Sequence, residues 1–204
     1  LAYAHDKKSA SGESLDIVHR DISPANVFVS WEGAVKLGDF GIAKARQRLS
    51  RHTMTGVLQG KFPYMSPEQT EGTELTQASD IFSFGTVAYE LLTQHRPFEG
   101  ESDMMILARV KEANPRPIRE LRPELPESFA EVINNCLDKD LSVRFSRGAE
   151  LERALATVMQ ENGWVVSESD TARFLSDLYG ESRQPEARRE IPLEEEPGEV
   201  LEAS

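Results

Sequence analysis

The sequence predicts a mainly α-helical domain with one short β-hairpin near its start, and three observations carry that prediction. Phe129, Val132, Ile133 and Cys136 recur at i, i+3, i+4 and i+7, one face of an amphipathic helix. Residues 80–92 are apolar nearly all round, which for a helix means burial on all sides. Val27-Phe28-Val29 and Val35-Lys36-Leu37 are β-rich runs joined through Glu32-Gly33, a hairpin signal.

Taken in order, Leu1-Ala2-Tyr3-Ala4-His5 reads as the last turns of a helix already in progress, with no initiator Met. Residues 7–16, rich in Lys, Ser, Gly and Glu, form a polar insertion expected to be exposed and mobile. After the hairpin, residues 46–59 are polar and Arg-rich, with little apolar periodicity to fix a helix or strand. Asp80 fits the N-cap of the apolar helix that follows. Residues 103–111 read as a short helix. Pro115, Pro117, Pro123 and Pro126 then break the chain into extended turns. Leu151, Leu155, Val158 and Met159 mark another amphipathic helix. Thr171, Phe174, Leu175 and Leu178 mark a last one that ends at Gly180. The organisation expected is a domain over 1–160, an extra C-terminal helix over 161–180, and an acidic disordered tail over 181–204. Glu194-Glu195-Glu196 in that tail is a solvated charge run.

The 204 residues, 39% hydrophobic, suffice for one real core. A net charge of −12 argues against nucleic acid, whose phosphates would repel the chain. The tail from Glu181 holds eight acids and three arginines, so the domain itself is also acidic. The single Cys136 lies on an apolar stripe, which points to a reduced compartment and a packing role. No apolar run reaches the length of a membrane span and no signal peptide is visible, so the expected location is cytoplasmic.

The chemistry concentrates in His19-Arg20-Asp21-Ile22-Ser23-Pro24-Ala25-Asn26. Pro24 forbids a helix interior, so Asp21 and Asn26 share a loop that aims a carboxylate and a carboxamide at one small volume. The hairpin folds the end bearing Asp39-Phe40-Gly41 back beside Asn26. One carboxylate and one amide oxygen then converge as hard ligands suited to Mg²⁺, which leaves Asp21 to act as a base.

The pair His-Arg-Asp-x-x-x-x-Asn and Asp-Phe-Gly, in this order with a hairpin between, resembles the catalytic loop and metal motif of eukaryotic-type (Hanks-type) protein kinases, bacterial serine/threonine members in particular. The resemblance covers residues 1 to about 160 and implies the larger, helical C-lobe of a kinase. It implies that Asp21 accepts the proton of a protein hydroxyl, while Asn26 and Asp39 hold Mg²⁺, with Mn²⁺ an alternative, on the phosphates of ATP. His19, Phe40 and Gly41 would support that site, and Asp80 would accept backbone N–H bonds from the loop. Tyr64-Met65-Ser66-Pro67-Glu68 resembles the element that closes a kinase activation segment, and by resemblance Glu68 pairs with Arg144. The sequence contains no Gly-x-Gly-x-x-Gly loop, and its one Ala-x-Lys, Ala34-Val35-Lys36, lies in the hairpin after the catalytic loop and not in a strand before it. The N-lobe is therefore expected to be absent, leaving this chain alone nearly inactive. A pseudokinase scaffold or a truncated gene product is the alternative.

Ser66 stands where Ala is usual and Phe82 where Trp is usual, and two further departures bear on the chemistry. Ser23 stands two residues after the base, where a lysine is usual, and Lys61 stands in the activation segment where a threonine is usual. The two read as one exchange, in which Lys61 supplies the cation that Ser23 does not. Arg20 with Lys44 would form a pocket for a phosphothreonine. Thr53 and Thr55 resemble paired autophosphorylation sites, with Ser50 a weaker candidate. Expected partners are ATP and protein substrates, and a homodimer for autophosphorylation stays open.

Overall fold

The computed structural model describes residues 1–40 and 61–180. Its elements are helix α1 (Ala2–His5), strands β1 (Val27–Val29) and β2 (Val35–Leu37), and then helices α2 (Pro67–Glu71), α3 (Gln77–Thr93), α4 (Asp103–Glu112), α5 (Ile118–Leu121), α6 (Glu127–Cys136), α7 (Gly148–Glu161) and α8 (Glu168–Tyr179). Single 3₁₀ turns, Pro24–Asn26 and Phe62–Tyr64, precede β1 and α2. The strands pair antiparallel with Val27 opposite Leu37 and Val29 opposite Val35, so the expected hairpin forms in the expected place.

Helix α3 is the post on which the helices pack. Phe82 and Tyr89 join Phe98, Val110, Ile118 and Ile133 in one buried cluster. Ile81, on the neighbouring face, joins Val132, Cys136, Leu151 and Val158 in a second. Helix α6 serves both clusters, because Ile133 and Cys136 sit three apart on one stripe. The helix axes come close at Gly85, where a Cβ would lie 2.7 Å from the Cβ of Cys136. Burial pushes the Cys136 thiol up to about 12, which fits packing and not reactivity.

Three expectations change. Helix α3 starts before Asp80: Thr76 is its N-cap residue, and the Thr76 N–H donates to Ser79 Oγ at 3.4 Å. With the helix start closed by Thr76 and Ser79, the Asp80 carboxylate turns to other donors. Burial of α3 is not complete, since Leu91 in its last turn is 66% exposed. The proline-rich span is not wholly extended. Pro117 and Pro126 take N-cap positions, where the fixed φ of proline suits helix entry, and Ile118–Leu121 forms a turn of helix buried at Ile118. The polar insertion is exposed almost throughout, as expected, and closes on itself through a bridge between Lys8 and Ser14, with Ser9 N–H donating to the Glu13 carbonyl at 2.8 Å.

The last helix seats on the hairpin. Gly33, at φ +90°, lies so close to α8 that a Cβ there would fall 1.8 Å from the Glu168 carbonyl oxygen. Trp31 meets Tyr179 edge-on, with ring centroids 5.8 Å apart. Phe174 and Leu178 remain exposed. Among the described residues no helix is long and apolar enough to cross a membrane.

Gly33→Ala forces either the turn or α8 to move, since a side chain at this φ is strained even without the clash. The expected result is loss of amide hydrogen-exchange protection across 168–179, with protection in α3 unchanged. Unchanged protection in α8 would show that the contact does not hold it.

Candidate active site

The loop 19–26 has little regular structure of its own, so its shape must come from side chains that satisfy its backbone. Asp80 does most of this. Its Oδ2 accepts the His19 N–H at 2.6 Å and its Oδ1 the Arg20 N–H at 2.8 Å, which holds Arg20 at φ 70°, a left-handed conformation costly for a residue with a side chain. The same carboxylate meets His5 Nε2 at 3.0 Å. His5 Nδ1 accepts the Gly148 N–H at 3.0 Å, so the ring is the neutral tautomer with its proton on Nε2, donated to Asp80. Asp80 is 1% exposed, and hydrogen bonds to such a buried charge are worth roughly 1.5–3 kcal/mol each.

His19 continues the chain of contacts toward the hairpin. Its Nδ1 accepts the Asp21 N–H at 3.3 Å, and its Nε2 donates to the Gly38 carbonyl at 2.9 Å. Its ring lies 4.4 Å from that of Phe40. Gly38 N–H donates to the Asn26 carbonyl at 2.9 Å, so the end of β2 is tied to the loop before β1. Asp39 follows at φ 56°.

Asp21 is positioned from two sides. Asn26 Nδ2 donates to the Asp21 carbonyl at 2.6 Å and to its Oδ2 at 3.1 Å, which commits the amide nitrogen inward and leaves Asn26 Oδ1 as the acceptor. Lys61 Nζ donates to Asp21 Oδ2 at 2.7 Å from 40 residues away. Ser23, by contrast, is buried, and among the described residues its Oγ has no hydrogen-bond partner.

The segment after Lys61 is fastened to the helical base. Phe62, Pro63 and Tyr64 are buried, and Tyr64 donates its phenolic hydrogen to Glu90 Oε2 at 2.5 Å. Burial and that carboxylate push the Tyr64 phenol up to about 12. Ser66 caps α2 in a reciprocal box with Gln69, whose Nε2 reaches the Arg20 carbonyl at 2.8 Å. Glu68 pairs with Arg144 at 3.1 Å and accepts the Ser79 hydroxyl at 3.1 Å. Burial raises the Glu68 carboxyl, but the guanidinium and the hydroxyls outweigh it and hold the group below its ordinary range. Arg144 also donates to the carbonyls of Ala78 and Asp138 and lies 5.0 Å over the Phe82 ring.

Of the residues singled out in sequence, Asp21, Asn26, Lys61, His19 and Asp80 therefore come together. Glu68 and Arg144 form the expected pair next to them. Asp39 and Phe40 follow the hairpin at the same edge. Gly41, Lys44, Ser50, Thr53 and Thr55 lie outside the described residues. His5 and Gln69 were not foreseen. The Gln69 tie had a local signal, Ser66-x-x-Gln69, whereas the partner of His5 stands 75 residues away.

A family model for the protein kinase domain matches residues 1–162. Among curated proteins, the chain is similar to Tyrosine-protein kinase MasK of Myxococcus xanthus, 39% identical over 189 residues, 93% of this chain and 29% of MasK. It is similar to the serine/threonine-protein kinase PknA of Corynebacterium glutamicum, 40% identical over 149 residues, 71% of this chain and 30% of that protein. It is similar to the probable serine/threonine-protein kinase PknB of Lactococcus lactis, 39% identical over 144 residues, 71% of this chain and 23% of that protein. The chain spans between 23% and 37% of the length of such relatives.

Breaking the buried pair from one side leaves the other charge stranded. Arg144→Met should cost about 3–5 kcal/mol in urea unfolding at pH 7, and adding Glu68→Gln should recover part of it. Because Glu68 is depressed when folded, its contribution is present above its unfolded pKa and is lost as pH falls through the lower folded value. The gap between wild type and Glu68→Gln should therefore shrink on acidification below about pH 4.5. A gap independent of pH would contradict the pairing.

Proposed function

Since the chain belongs to the protein kinase domain family, we propose that it carries the catalytic loop of an enzyme that transfers the γ-phosphoryl group of ATP to hydroxyl groups of proteins, serine and threonine first. The observation that carries this reading is the convergence of Asn26 and Lys61 on the carboxylate of Asp21, on a loop pinned by Asp80.

Asp21 accepts the proton of the acceptor hydroxyl as its oxygen bonds to the γ-phosphorus. Asn26 Oδ1 and the Asp39 carboxylate are hard oxygen donors of the kind that hold Mg²⁺ or Mn²⁺. The metal, when bound, neutralises phosphate charge. Asn26 has a second task, since its amide nitrogen fixes the rotamer of Asp21. Arg20 and Lys44 would receive a phosphate on Thr53 or Thr55, with Ser50 a lesser site, and order the segment around them. The reading requires a Gly-rich phosphate cover and its lysine from outside these 204 residues.

Tyrosine is the second acceptor class, favoured by one observation. The match to Tyrosine-protein kinase MasK takes in 93% of the chain, which must include α8, while the serine/threonine-protein kinases cited cover 71%.

The test is transfer of label from γ-³²P-ATP to a protein acceptor by the full-length protein, followed by phosphoamino acid analysis. Labelled phosphoserine and phosphothreonine that fall about 10²–10⁴-fold in Asp21→Asn are the expected result. Phosphotyrosine alone would move the assignment to the second class. No label from wild type, with nucleotide binding absent, would leave a scaffold.

A further inference from the structure

We propose that Lys61 supplies the cation that neutralises the phosphoryl group in transit, so that position 23, two residues after the base, carries no charge. This rests on the phosphotransfer reading above and adds a catalytic residue to it.

A cation at Asp21 is favoured by charge. An anionic base and the terminal phosphate of ATP must approach one acceptor hydroxyl, and a metal held by Asn26 and Asp39 offsets only part of the repulsion between them. Ser23 cannot provide the cation. Its hydroxyl is neutral, and it is buried with no partner among the described residues. Lys61 can, and the fold places it to do so. Its Nζ stands 2.7 Å from Asp21 Oδ2, with the side chain only 26% exposed. An ammonium has three donors. One is used on Asp21 in this arrangement, and two remain to be turned toward phosphoryl oxygens at the same carboxylate.

Lys61 is not a loosely tethered surface group that happens to point inward. The Lys61 carbonyl accepts the Tyr64 N–H at 3.0 Å, closing the buried turn Phe62–Tyr64. That turn is fixed by Tyr64 on Glu90, and α2 just beyond it is fixed by Glu68 on Arg144. The backbone at Lys61 is therefore held to the helical base through residues on its C-terminal side, and the side chain crosses from there to the loop. The exchange moves the charge from the catalytic loop to the start of the segment that leads into α2.

In the step itself, the bond between the γ-phosphorus and the oxygen bridging it to the β-phosphorus breaks, and the acceptor oxygen bonds to phosphorus. The hydroxyl proton goes to Asp21 and ADP leaves. Lys61 keeps its proton throughout and moves part of its hydrogen bonding from Asp21 to the phosphoryl oxygens as negative charge spreads over them.

The test compares Lys61→Met, Lys61→Arg and the double exchange Ser23→Lys with Lys61→Thr, all in the full-length protein. Lys61→Met should lower kcat about 100-fold with KM for ATP changed less than threefold, Lys61→Arg should retain more activity, and the double exchange should recover at least tenfold over Lys61→Met. Binding of MgADP with and without aluminium fluoride, a planar stand-in for the phosphoryl in transit, reads the same interaction without turnover. Wild type should bind MgADP more tightly with aluminium fluoride, and Lys61→Met should lose that gain while keeping its affinity for MgADP alone. A purely structural ion pair would instead lower thermal stability and leave the aluminium fluoride gain intact, which overturns the proposal. So does a kcat within threefold of wild type, or a double exchange no better than Lys61→Met. If wild type transfers no phosphate yet shows a Lys61-dependent gain, the phosphotransfer reading fails, its catalytic role for Lys61 fails with it, and Lys61 is left as a phosphate-binding cation only. If it shows neither, both fail.

Discussion

The carboxylate of Asp80 is the constraint on which the rest of the site depends. It receives backbone N–H groups from His19 and Arg20 and the ring of His5, and His5 in turn receives Gly148. Four stretches of chain far apart in sequence, α1, the loop, α3 and the start of α7, thus meet on one buried negative charge. The charge is tolerable there because three donors surround it. In exchange, Arg20 is held in a left-handed conformation that it would not adopt alone, and Asp21 next to it is aimed.

A second buried charge does for the other side what Asp80 does for the loop. Arg144 threads between Glu68, three backbone carbonyls and the face of Phe82, and so fixes α2 to the helical base. Gln69, on the same short helix, passes that fixation to the loop through the Arg20 carbonyl. Lys61 stands on the near side of this assembly. The backbone from which its ammonium reaches Asp21 is therefore held by two buried networks.

How much of this was legible in the sequence depended on the range of each interaction. The hairpin was readable because β-rich runs and Glu32-Gly33 are local, and the faces of α6 and α7 because their period is local. The start of α3 was misread because Asp80 is a good cap by composition, while the true start lies at Thr76, four residues earlier. The pairing of Glu68 with Arg144 was readable only through family resemblance, since 76 residues separate them. His5 gave no signal at all, as a lone histidine at the end of a short helix has no local pattern that names its partner. Helix α8 was readable as a helix, but its seat on Gly33 was not, because the seat is an absence of side chain 135 residues upstream.

Lys61 and Ser23 were visible as departures from a motif, and in the fold Lys61 reaches Asp21 while Ser23 is buried in the same loop. Whether Asp80 governs that arrangement is measured most directly by kcat for Asp80→Asn in the full-length protein, at a temperature where it still unfolds cooperatively. An asparagine offers one acceptor oxygen where the loop needs two, so Arg20 and Asp21 should relax and kcat should fall about 100-fold. A kcat within threefold of wild type would contradict the account, for it would mean that the loop keeps its working shape without the charge beneath it.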